Sequence, residues 1–276
     1  MMDCTQEDDY DATAALFNRG DFLRKLREME REDQAQRDAD EDPMESNQER
    51  DRSNIPQDTL RYETFLKDQR YHDDLKHINF KFVDFGEING KHLVVEQDRS
   101  LGKGGLIWDA GFILGEHVIR ETYWRSNETF SIVELGAGTG ITGLMVASAF
   151  PEIHVEITDL PQLVPLLEKN CANTPNASAS VLEWGGSVKG NYDVILGADV
   201  VASIYDSYGL AKTIYDLAHS NSWVYLACRD RLAGSIEEFE GHLQKMFLHV
   251  ERRKADSSNK NQGVWILIAR GKCSNQ

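Results

Sequence analysis

The run from Ile132 to Gly143 reads Ile-Val-Glu-Leu-Gly-Ala-Gly-Thr-Gly-Ile-Thr-Gly, and it constrains the fold more than any other stretch of the chain. An apolar segment carries an acid, glycines follow at 136, 138 and 140, and an apolar helical pattern begins at Ile141. That order predicts a strand, a tight backbone turn and a helix start. Glycine has no Cβ to block close approach, so the turn is open to a ligand that touches the main chain. A dinucleotide turn reads G-x-G-x-x-G, and its third glycine packs the helix onto the strand. Here the spacing is G-x-G-x-G, with Ile141 where that third glycine would stand. Glu134 lies two residues before Gly136. An acid there suits a ligand with a cationic amino-acid end better than a diphosphate.

Beyond this turn the pattern alternates. Apolar runs predict strands over 130–135, 153–158, 179–183, 192–198, 222–228, 246–251 and 262–269, and helices are expected over 141–149, 160–172, 206–219 and 235–245. Pro161 suits a first helical turn. Nearly all-apolar strands such as Val194-Ile195-Leu196 imply an α/β fold: a doubly wound, mostly parallel seven-stranded sheet covered on both faces. The last two strands have no helix between them and fit an antiparallel hairpin around Ser257-Ser258-Asn259. Ahead of the sheet, Phe80 to Phe85, the turn Asn89-Gly90 and Leu93-Val94-Val95 predict a β-hairpin extension. The glycine-rich stretch 101–105 leads into a helix that starts near Trp108 and runs to about Ile119.

Three regions follow from composition. Residues 1–55 are an acidic tail, and after Leu26 they have almost nothing to bury, so disorder or a frayed helix is expected. Within it, Ala14 to Met29 sets Leu16, Phe17, Phe22, Leu23 and Leu26 near helical spacing. Residues 56–78 read as a linker or helical lead-in, and 79–276 as the folded domain. An apolar fraction of 41% is enough for a full core across 276 residues. No stretch approaches the roughly 18–20 apolar residues of a membrane span, and no basic-then-apolar leader opens the chain. The four cysteines, at 4, 171, 228 and 273, form no metal-binding spacing and no disulfide framework. The tail contributes −9 of the net charge of −16, and neither part has the basic footprint of a nucleic-acid binder. A soluble, cytoplasmic chain is expected, with the nucleus as a second location, and an acidic domain suits a cationic partner or simply aids solubility.

In open α/β sheets ligands lie beyond the carboxyl ends of the strands. The second strand ends in Asp159, nineteen residues past Gly140. A carboxylate there can accept both hydroxyls of a ribose, in a nicotinamide dinucleotide as well as in other nucleosides, or it can cap the next helix. Trp184 after the third strand is a candidate adenine neighbour or a core residue. Ala198 is small enough to let a cofactor press on backbone, and Asp199 would point into the mouth. The run Cys228-Arg229-Asp230-Arg231 offers charges for the substrate end, or simply solvated loop charges, which are the commoner case.

Trp108-Asp109-Ala110, Glu134 to Gly140, Thr158-Asp159, Leu182 to Gly185, Leu196 to Asp199 and Leu226 to Arg229 occur together in this order. Over residues 79–270 the chain thereby resembles the class I, seven-β-strand methyltransferases, in particular the methyltransferase-like 21 group of protein-lysine methyltransferases. The resemblance implies a Rossmann-like fold, S-adenosyl-L-methionine as cofactor and a protein substrate presenting a lysine, on a chaperone, an ATPase or a translation factor. It implies cofactor contacts at Trp108, Gly136, Ala137, Gly138, Asp159, Trp184 and Ala198, beside the candidate Glu134. Asp199 is the candidate catalytic residue, and a monomer without nucleic acid, membrane or metal is expected. One departure stands out. The family's Asp-x-x-Tyr after the fourth strand reads Asp199-Val200-Val201-Ala202 here, so the aromatic wall for the lysine must come from elsewhere, with Tyr205 and Tyr208 as candidates. A methyltransferase-fold interaction protein and a small-molecule methyltransferase are the competing readings.

Overall fold

The computed structural model describes residues 55–56, 58–61, 79–121, 130–188, 190–202, 204–229, 234–255 and 263–274. The acidic tail, its amphipathic piece and the turn at 257–259 lie outside these residues.

Strand β1 (Thr59–Arg61) runs parallel to β2 (Phe82–Ile88), which pairs antiparallel with β3 (Lys91–Glu96). The expected hairpin is therefore the larger part of a three-stranded sheet, and described structure begins well before Asn79. Asn89 takes φ 49° at the hairpin turn, and its side-chain amide donates to the carbonyls of Ser148 (2.9 Å) and Ala149 (2.8 Å). The glycine-rich stretch after β3 is a 3-10 segment, Arg99–Gly105, kinked at Gly102.

Helix α1 (Asp109–Arg120) leads to β4 (Ser131–Leu135), α2 (Ile141–Ala149), β5 (His154–Asp159), α3 (Val164–Cys171) and β6 (Ala177–Val181). Then come β7 (Tyr192–Ala198), α4 (Ser207–Leu217), β8 (Ala218–Arg229), α5 (Ser235–Met246), β9 (Phe247–Lys254) and β10 (Val264–Lys272). The large sheet has the order β6-β5-β4-β7-β8-β10-β9. Its first five strands are parallel, and β10 is antiparallel to both neighbours. The expected mostly parallel seven-stranded sheet is the one observed. Pro161 precedes α3 rather than opening it, and the proline in the first turn is Pro165.

Two cores flank the sheet. The first joins β2 and β3 to α1, α2 and α3, and includes Val83, Phe85, Leu93, Leu114, Leu144, Ile157 and Leu167. Every residue of α2 from Ile141 to Ala147 is buried, and each large apolar side chain there contributes roughly 1.5–3 kcal/mol. The second core joins α4 and α5 to β4, β7, β8 and β10, through Val133, Ile195, Leu210, Leu226 and Phe239.

No residue of β5 or β6 belongs to that second core. Among the described residues no helix packs on that face of β5 and β6, where a covering layer was expected, because the β6–β7 connection supplies none. The strands compensate with polar side chains: Ser180 Oγ donates to Glu156 Oε1 (2.5 Å), Tyr192 hydroxyl donates to the same carboxylate, and His154 lies 3.0 Å from Ser178 Oγ.

Candidate functional site

The order of the sheet reverses between β4 and β7, since β4 is followed in the chain by its neighbour on one side and β7 lies on the other. The crevice at such a switch point is where open α/β sheets bind ligands. The turn after β4 lies there. Gly136, Gly138 and Gly140 take φ 60°, 58° and 81°, in the left-handed region that side chains resist. A Cβ on Gly136 would stand 2.7 Å from the Trp184 ring and 2.9 Å from Val200, and one on Gly138 would stand 2.8 Å from the Gly104 carbonyl oxygen. The 3-10 segment and Trp184 therefore lie against the bend from two directions. Ala137 N–H donates to Thr158 C=O (3.0 Å), which ties the turn to β5.

Asp159 closes β5 and carries the second half of the site. Its Oδ2 accepts from Gly138 N–H and its Oδ1 from Leu160 N–H, each at 2.7 Å. Partial burial pushes its pKa up against the pull of those two donors. A carboxylate has about four lone-pair sites, so about two remain for a vicinal diol.

Glu134 does not take the place expected of it. It is 1% exposed beneath α2, where its Oε2 accepts from Gly143 N–H (2.8 Å). Strand alternation puts it on the face of Ile132, toward the helix, not at the mouth. It satisfies an N-terminal amide of a helix whose cap, Gly140, has no side chain. Burial raises its pKa to about 8, opposed by the hydrogen bonds from Gly143 and Thr142. The structure thus sets this carboxyl against α2 and not at the mouth.

The remaining predicted residues fall around the mouth. Trp108 precedes α1, and its indole N–H donates to Lys103 C=O (3.0 Å) within the 3-10 segment. Ala198 is half-buried at the end of β7. Asp199 follows with φ 55°, and its N–H donates to Ala227 C=O (2.8 Å). Asp199 and Asn89 are the only non-glycine residues with positive φ among those described. Asp tolerates this conformation at a cost, and such outliers gather at functional sites. Tyr205 N–H donates to Ala202 C=O (2.9 Å), and this turn sets the Tyr205 ring edge-on to Trp184 with centroids 5.6 Å apart. Tyr208 is 56% exposed and meets His242 instead.

Arg229 is not a charge facing the substrate end. It is buried in an ion pair with Asp109, joining the end of β8 to the start of α1. Asp230 and Arg231 lie outside the described residues. Two residues of the site went unassigned in the sequence. Gly143 lets α2 approach β4 and β5, since a Cβ would meet Glu134 at 2.7 Å and Ile157 at 2.8 Å. Its position three residues after Gly140 was a usable signal. Asn170 reaches the turn from α3 and had no local signal at all.

These residues fit S-adenosylmethionine. The left-handed glycines keep the bend's main chain free of side chains and let Trp184 and the 3-10 segment close in on it, the half-open carboxylate of Asp159 matches a ribose diol, and Trp184 offers an aromatic face beside the bend. No group of three or more metal-ligating side chains occurs among the described residues. Residues 87–248 match the family model described as lysine methyltransferase. The chain belongs to that lysine methyltransferase family. It is 32% identical over 166 residues to EEF1A lysine methyltransferase 3 of Mus musculus, covering 56% of this chain and 68% of that protein. It is 31% identical over 172 residues to protein N-lysine methyltransferase METTL21A of Xenopus tropicalis, covering 59% of this chain and 74% of that protein. Against UPF0665 family protein C23C4.06c of Schizosaccharomyces pombe it is 26% identical over 137 residues, 45% of this chain, and spans only 42% of that protein's length. The lysine methyltransferase match covers the turn, Asp159, Trp184 and Asp199, and begins within β2.

Proposed function

We propose that this chain is a protein-lysine N-methyltransferase that moves a methyl group from S-adenosyl-L-methionine to a lysine side chain of another protein. The observation that carries the reading is the pair of features on either side of the switch point. On one side stands a glycine turn braced by Asp159; on the other stands Asp199, held in a left-handed conformation at the end of β7. The names of the two lysine methyltransferase relatives support the same substrate chemistry, and one of them points to a translation factor as the class of target.

The cofactor, when bound, supplies an electrophilic methyl carried on a sulfonium. The rest falls to the chain. Asp159 accepts the ribose hydroxyls, and Trp108, Trp184 and Ala198 border the nucleoside. A lysine amine is a nucleophile only without its extra proton, and its unperturbed pKa is about 10.4. Burial of the lysine stem against the edge-packed rings of Trp184 and Tyr205 disfavours the ammonium and lowers that value. Asp199 holds the amine and offsets the positive charge that the nitrogen gains as its lone pair forms the new bond. Water takes the surplus proton, so no strong base is required. The proposal includes a monomer that acts in the cytoplasm or nucleus.

Tritiated S-adenosylmethionine added to whole lysate tests it, with parent protein beside Asp159→Ala. The expected result is a labelled protein whose label lies on lysine after hydrolysis, and which fades with the variant. Label in the small-molecule fraction would instead make this a small-molecule enzyme. Donor binding with no labelled product would leave an interaction protein.

A further inference from the structure

The side chain of Asn170, on α3, is 8% exposed and has three hydrogen bonds. Its Oδ1 accepts from Glu96 N–H (2.8 Å), and its Nδ2 donates to Glu96 C=O (2.9 Å) and to Thr139 C=O (2.9 Å). The pattern fixes the amide orientation. A flipped amide would set Nδ2 against the Glu96 N–H and Oδ1 against two carbonyls. Toward Glu96 the side chain behaves like a neighbouring strand, pairing with both main-chain groups of the last residue of β3. Its remaining N–H holds the carbonyl of the residue between Gly138 and Gly140. Thr139 is 1% exposed, so that carbonyl has no ready substitute partner in water.

We propose that Asn170 is a positioning residue of the donor site, one that couples the three-stranded sheet to the glycine turn and so sets the turn's geometry for the nucleoside. It acts through the main chain and does not touch the cofactor. A second buried amide strengthens the coupling. Gln97, the next residue after Glu96, donates to Phe80 C=O (2.6 Å) and accepts from Ile107 N–H (3.2 Å), beside Trp108. The strands at the start of the described domain are thereby built into the donor site and are not an appendage to it.

The chain supplies its own control. Asn176 is also a clamp, its amide donating to the carbonyls of Ala147 (2.9 Å), Phe150 (3.1 Å) and Ile153 (2.7 Å). It fastens the far end of α2 and leaves the turn alone. The test compares Asn170→Ala and Asn170→Asp with Asn176→Ala, measuring S-adenosylhomocysteine affinity by calorimetry, KM for the donor, kcat at saturating donor, and thermal unfolding. Both Asn170 variants should weaken the affinity and raise that KM about tenfold, the size expected for one buried carbonyl left unmade, with kcat within about twofold of the parent. Asn176→Ala should lower the unfolding temperature similarly and leave the affinity within about twofold. Equal effects on affinity from both sites, or parent-like affinity in a folded Asn170→Ala, would overturn the proposal. If neither Asn170 variant folds, hydrogen exchange in the parent decides. Bound S-adenosylhomocysteine should slow the Glu96 amide more than the Ile88 amide of the same small sheet, and equal slowing would refute the coupling. The inference rests on the donor reading, and the parent titration separates the two: no heat in the parent defeats that reading, whereas parent heat unaltered at Asn170 defeats only this one.

Discussion

The donor side and the acceptor side of the mouth are built from different materials. On the donor side nearly everything is main chain or buried amide. Three left-handed glycines, the Gly138 N–H on Asp159 and the Asn170 amide on Thr139 leave little freedom. On the proposed acceptor side stands the exposed ring of Tyr205, on a short turn that begins at Ala202. A nucleoside is one fixed shape, and a site for it gains from preorganised backbone. A lysine on a protein surface arrives with neighbours that differ from target to target, and exposed side chains are easily exchanged to match them. The missing family tyrosine at Ala202 falls on the exchangeable side.

Substitutions should keep the two sides apart. The largest effect is expected from Gly136→Arg, because a side chain there is strained by φ 60° and collides with Trp184 and Val200. The thermal stabilisation that S-adenosylhomocysteine gives the parent should vanish, while the variant still unfolds cooperatively. Asp199→Asn should come next. Asn tolerates a left-handed backbone, so the fold is kept. Loss of the charge beside the amine should lower kcat on the order of a hundredfold. Donor affinity measured by calorimetry should not change, and a loss of donor affinity would blur the division between the sides. Tyr205→Ala should act on the acceptor alone, raising KM for the protein substrate about two- to fivefold, the size of a small apolar contact with the lysine stem lost from a partly exposed ring. Steady-state kinetics at saturating donor reads this out.

The last effect is on stability, not on the reaction, and concerns Glu134, which lies beneath α2. Its pKa is raised from 4.5 to about 8 in the folded chain. Below 4.5 both states hold the proton. Between 4.5 and about 8 the unfolded chain releases it and the folded chain keeps it, so this group's contribution to stability falls as pH rises, and it is flat above that window. Glu134→Gln should remove that decline. Urea midpoints measured across the window should fall less steeply for the variant than for the parent.

Much of the fold was legible, for local reasons. Helix α2 coincides with its expected span because Gly140 marks its start and the apolar run its length. Strand β7 coincides because Gly190-Asn191 and the small pair Gly197-Ala198 bound it. Strand β8 begins four residues early, in the polar run Ala218 to Asn221, where hydrophobicity gives no signal. Strand β1 is three residues long and lies far from its partner in sequence. Within the site, Asp159 was legible because a strand end fixes where its side chain goes. The direction of Glu134 was not legible from its spacing to Gly136, because the two-residue alternation of the strand turns it toward α2. Asn170 was invisible because its three partners lie 31 and 74 residues away.

The central claim is that the bend after Leu135 receives a sulfonium nucleoside whose ribose is held by Asp159. Calorimetric titration of the purified chain with S-adenosylhomocysteine tests it most directly. The account predicts saturable heat with one site per chain, lost in Gly136→Arg. A folded parent protein that takes up no heat from this compound or from S-adenosylmethionine would contradict it.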